Sequence, residues 1–112
     1  MQISYRKNKV KKQCTDLRQA KKDFPQKIAI KLLKLINFIE AADNLESVVN
    51  NPVYHFHDLK GDKKDIYALD IDGRRSPYRL LVTFEEDEIG KVFTDSISIE
   101  AIIVEEVSKH YE

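Results

Sequence analysis

The apolar residues of this chain change their spacing at Pro52. Before it they recur at helical intervals, and after it they alternate one in, one out. A chain that spends its first half at a period of 3.6 and its second at a period of 2 must place helices beside strands rather than between them. That order predicts an α+β domain, with an N-terminal helical hairpin packed on one face of a mostly antiparallel, twisted sheet of four to five strands.

The first half supplies the hairpin. Ile3 to Tyr5 is short enough to be an edge strand. From about Asn8, Val10, Cys14, Leu17, Ala20 and Phe24 form one narrow stripe, which predicts a single helix ending at Pro25. Proline at the start of the next helix loses nothing, since its missing N–H has no partner in a first turn. Ile28, Leu32, Leu35, Ile36 and Ile39 then give a broader face over Gln26 to Ala42, and so broad a face needs a sheet beneath it. Leu45 to Pro52 reads as a connector with one helical turn.

In the second half, Tyr54 and Phe56 point one way while His55, His57 and Leu59 point the other, until Gly61-Asp62 turns the chain. Ile66 to Ile71 is the next strand, closed at Asp72-Gly73, where glycine accepts positive φ. Tyr78, Leu80, Val82 and Phe84 alternate with Arg79, Leu81 and Thr83, so Arg79 falls on the face away from the aromatic row. Ile97, Ile99, Ala101, Ile103 and Val107 fit a last strand, apolar on both sides around Ala101 to Val104, as a central covered strand would be.

At 112 residues the chain is sized for a single domain, 1-112. No apolar run nears the roughly 18 residues of a membrane span, and the start lacks the apolar core of a secretion signal, so a cytoplasmic protein is expected. The lone Cys14, on the helix stripe, reads as a small core residue. Net charge is zero, but it is unevenly spread: residues 1–34 hold eleven Lys/Arg against two acids, and the other 78 hold eight against seventeen. A surplus of nine positive charges on the helical half points to an anionic partner there, with Lys11, Lys12 and Lys22 as candidate RNA contacts.

The run His57-Asp58-Leu59-Lys60-Gly61-Asp62, followed by Asp72-Gly73 and then Tyr78-Arg79-Leu80, puts a lysine at a strand-closing turn and an arginine one hairpin away. With the lysine-rich first helix, the Leu/Ile-rich second helix and a His-Tyr end, it makes the chain resemble the RelE/ParE superfamily of toxins from bacterial toxin–antitoxin pairs, most closely the HigB-like branch. The resemblance implies a RelE-like fold and a ribosome-dependent endoribonuclease that cuts mRNA and is held inactive by an antitoxin, expected to be a small helix-turn-helix protein. It maps the strand-end lysine of the family onto Lys60, the sheet arginine onto Arg79 and the C-terminal histidine onto His110. The HigB pattern ends Asp-Tyr-His where this chain has Ser108-Lys109-His110-Tyr111, and a longer segment, about Asp87 to Glu100, precedes the last strand.

Cutting RNA without a metal requires the 2′-OH to lose its proton as it attacks phosphorus, the phosphorane charge to be stabilised, and the leaving 5′-oxygen to gain a proton. Lys60 and Arg79 are the expected phosphate ligands and His110 the group that moves a proton, while Tyr111 is placed to stack on a base or donate its hydroxyl. His57, Lys63, Arg74 and Arg75 are further candidate RNA contacts. His55 and His57 share a strand face, yet no third ligand is spaced to join them around a metal. No cofactor is expected. Two other readings stay open: a gyrase-inhibiting toxin in the manner of ParE, and a degenerate relative kept for protein contact.

Overall fold

Asp16 divides what the apolar stripe presents as one helix. In the structure, a computed structural model that describes every residue except 62, 63 and 110–112, α1 spans Asn8–Thr15 and α2 spans Leu17–Asp23. Asp16 is extended (φ −126°, ψ 108°), and its carboxylate accepts hydrogen bonds from the amides of Arg18 and Gln19. A side-chain oxygen that satisfies first-turn amides favours a new start over continuation. Val10, Cys14 and Ala20 stay buried, whereas Leu17 is left 38% exposed. Burial pushes the Cys14 thiol up to about 12, so it is protonated and a poor nucleophile, as a core residue should be.

The remaining helices follow the sequence closely. Pro25 precedes α3 (Gln26–Ala41), whose Ile28, Leu32, Leu35, Ile36 and Ile39 are all buried. The side chain of Asn44 accepts from the Glu46 amide and starts α4 (Leu45–Val49). The strands are β1 (Gln2–Tyr5), β2 (His57–Asp58), β3 (Tyr67–Asp70), β4 (Arg79–Thr83) and β5 (Ala101–Ser108). They lie in the order β1-β5-β4-β3-β2, with β1 parallel to β5 and the other pairs antiparallel. Leu69, Leu80, Val82, Ile102 and Val104 join the α3 face in the main core. On the opposite side Leu59, Ala68 and Leu81 form a small second cluster. The helices cover one sheet face; the other is the open one in the sense that the helices do not pack on it, although its central side chains Ala68, Asp70, Arg79, Leu81 and Thr83 are themselves buried.

Two strands are shorter than their alternation predicts. His55 has φ 45°, a left-handed conformation, and residues 52–54 form a turn, so only His57–Asp58 pairs with β3. The longer segment before β5 coils through 3₁₀ turns at Glu86–Lys91 and Ser96–Ser98. Ile97 there is 58% exposed while Ile99 reaches the core. β5 is central, as its composition predicts, but it is covered by helices on one face only. Where β1 ends, the Arg6 amide bonds the Val104 carbonyl, and α1 flanks the far end of β5 through a cleft between Lys9, Gln13 and Glu106.

Candidate functional site

Strand register decides which side chains meet on the open face. Across it, Asp70 stands opposite Arg79, and Arg79 opposite Ser108. In the parallel row His57 stands opposite Ala68, Ala68 opposite Leu81, and Leu81 opposite Glu106. Residues two apart share a side, so His57, Asp70 and Arg79 lie on the face turned away from the helices. The sequence places Arg79 there, and the structure agrees.

What Arg79 does there differs from its expected use. Its side chain is 8% exposed, and that of Asp70 only 1%. Nε lies 3.1 Å from Asp70 Oδ1. The approach is too poorly angled to count as a hydrogen bond, so among the described residues both carboxylate oxygens lack a donor and the pair is one of charge contact. The rest of the guanidinium faces a loop: Nη1 donates to the carbonyls of Gly73, Ser76 and Tyr78, and Nη2 to that of Arg74. The planar fork of an arginine can satisfy several carbonyls that converge from different directions, and here it gathers residues 73–78 around itself. Asp72, at the root of the loop, is held from the other side by Lys27 at 3.3 Å and Lys31 at 3.1 Å. The loop tip, with Arg74 and Arg75 both exposed, is anchored at two points.

Next to this loop sit two imidazoles. His55 and His57 stack with ring centroids 4.4 Å apart and an interplanar angle of 28°. Arg74 Nη2 lies 3.2 Å from His55 Nδ1, and His57 Nδ1 lies 2.7 Å from the His55 carbonyl. Burial lowers the pKa of His55; Asp70 pulls it up, and Arg74, His57 and Arg79 push it further down. The balance favours the neutral form of His55. The sequence pairs these histidines on one face but gives no sign of the Arg74 contact, which depends on how the 73–78 loop folds back.

The other candidates are dispersed. Lys60 is exposed just before Gly61, which takes φ 78°, and among the described residues no hydrogen bond or ion pair joins it to Arg79. Lys11, Lys12 and Lys22 are exposed on α1 and α2, in the helical layer. Lys63, His110 and Tyr111 lie outside the described residues. Asp70, missed in the sequence, has a legible signal after the fact: it ends the strand whose hairpin partner begins at Arg79. Among the described residues no group of three or more His, Cys, Asp or Glu is arranged to hold a metal ion, and no helix is long and apolar enough to cross a membrane.

Compared with known families, residues 4–96 match the RelE-like toxin of type II toxin-antitoxin system HigB. The match takes in the helices, β2 to β4 and the loop between β3 and β4, and stops before β5. No curated protein matches the chain.

Proposed function

The chain belongs to the HigB-like family of RelE-like toxins of type II toxin–antitoxin systems, and from that premise we propose that it is a metal-independent endoribonuclease that cuts mRNA on the ribosome. The observation that supports this most is the sheet face turned away from the helices, where Arg79 anchors the loop whose Arg74 reaches the stacked His55 and His57, with Lys60 exposed at the end of the strand that carries His57. Cations and a group that titrates near neutrality are what the reaction needs. The 2′-OH gives its proton to a base and its oxygen bonds phosphorus. The P–O5′ bond breaks, and the 5′-oxygen takes a proton, leaving a 2′,3′-cyclic phosphate and a 5′-hydroxyl.

In this reading Lys60, Arg74 and Arg75 hold the phosphate and neutralise the phosphorane. Arg79 acts from beneath, by fixing the loop that carries two of those cations. His110 moves a proton and Tyr111 stacks on a base. Membership of a type II pair brings an antitoxin partner; a small helix-turn-helix protein is the kind we propose, and the cytoplasm is where the pair works.

Expression of the chain without its partner should arrest growth and fragment transcripts within translated regions. K60A and H110A should each relieve the arrest at equal protein level. Normal growth at verified expression would refute the toxin. A second reading draws on the family match ending at residue 96, short of the tail that carries His110: a non-cutting inhibitor in the manner of a gyrase poison. Arrested cells with intact transcripts and altered DNA supercoiling would establish that reading instead.

A further inference from the structure

A continuous set of contacts runs from the floor of the sheet to the stacked imidazoles. Buried Asp70 touches Arg79, and Arg79 Nη2 bonds the Arg74 carbonyl. The Arg74 side chain reaches His55 Nδ1, and the His55 carbonyl meets His57 Nδ1. The chemistry of each contact fixes a proton. A guanidinium can only donate, so His55 Nδ1 must be the acceptor and its proton must sit on Nε2. A carbonyl can only accept, so His57 Nδ1 must carry the proton, which leaves Nε2 as the nitrogen of that ring with a free lone pair.

We propose that His55, clamped by Arg74, is a positioning residue that sets the tautomer and orientation of His57, so that Nε2 of His57 is aimed into the open face as its proton-accepting atom. Two features of His55 serve this. Its left-handed backbone (φ 45°) turns its own carbonyl toward the His57 ring, a conformation histidine tolerates better than most residues. Its ring, stacked at 4.4 Å, stops the His57 ring from flipping about its last side-chain torsion. Burial first, and then the charges of Arg74, His57 and Arg79, lower the His55 pKa against the opposing pull of Asp70, and this favours a neutral ring beside a protonated His57.

The inference rests on the ribonuclease reading for its purpose, but its test does not need RNA. Nitrogen NMR of the imidazole rings in the folded wild-type chain should show His57 protonated on Nδ1 and His55 on Nε2, each as a single tautomer. H55N keeps a residue at ease in the left-handed region and keeps the backbone carbonyl, while removing the ring and the Arg74 contact. His57 should then become a mixture of tautomers, and cleavage should fall about 10-fold, less than the ~100-fold or more that outright loss of an acid–base group costs. R74A should give the same mixing at His55. A mixed His57 in the wild type, or a single unchanged tautomer in H55N with undiminished cleavage, would overturn the proposal. A wild-type chain that cuts no RNA would remove the function while the spectra still decide the positioning.

Discussion

Arg79 shows how much one side chain can be asked to do. It neutralises a buried carboxylate and receives four backbone carbonyls, so its truncation leaves Asp70 charged and unpaired in the sheet. Breaking a buried pair from one side costs about 3–5 kcal/mol. A domain of this size has only about 5–15 kcal/mol in all. R79A should therefore lower the urea midpoint sharply, and R79K should recover little, because an ammonium cannot span the same carbonyls. D70N combined with R79A should regain part of the loss, since no charge is then stranded. If R79A unfolds like wild type, the guanidinium is not the anchor the contacts describe. The practical consequence is that loss of toxicity in R79A would report lost fold as readily as lost chemistry, which is why Lys60 and His110 are the better probes.

At the level of elements, the loop between β3 and β4 depends on its second anchor, Asp72. Burial raises the pKa of Asp72, yet the hydrogen bonds and charges of Lys31 and Lys27 outweigh it and bring the pKa below the ordinary value. A depressed carboxylate stabilises the fold above its unfolded pKa, and that contribution is lost as pH falls through the folded value. Both lysines are largely in solvent, at 72% and 47% exposure, which limits the anchor to about 0.5–1 kcal/mol. D72A should cost that much near pH 7 and nothing well below pH 3, by urea titration, while K27A or K31A alone should cost less because the other lysine remains. An equal loss for D72A at both pH values would separate the effect from the ion pairs.

The same elements show what a sequence discloses. α3 was legible because its apolar face repeats over sixteen residues with no competing signal. The break at Asp16 was hidden by a stripe that continues in register on both sides, although an aspartate before a leucine is an ordinary cap. The shortening of β2 turns on His55 adopting positive φ, which no local pattern announces. Alternation located Arg79 on the right face, but its burial comes from a loop closing over it, a tertiary event.

For the molecule as a whole, the residues assigned to RNA in the proposed function fall on both sides of the sheet. The imidazoles and the Arg74–Arg75 loop occupy the open face, and the lysine-rich α1 and α2 lie in the layer behind it. On the ribonuclease function proposed above, one single-stranded message cannot occupy both at once by the same few nucleotides, so we propose that the helical cations take a second, larger anion, folded ribosomal RNA. Some of the positive surplus is already spoken for, since Arg6 pairs with Glu105 and Lys27 and Lys31 pair with Asp72. Lys11, Lys12 and Lys22 are exposed and make no ion pair among the described residues. Each phosphate contact contributes about 0.7–0.9 to the slope of log affinity against log salt. Replacing all three by glutamine should therefore weaken binding to ribosomes and flatten that slope by roughly two, again at about 0.7–0.9 per contact. The fold should be unaffected, because none of the three is in the core. Cleavage once bound should proceed as in wild type, since the open face is untouched. A triple variant with unchanged affinity and slope would reduce these lysines to a solvated surface and leave the open face to hold the ribosome alone.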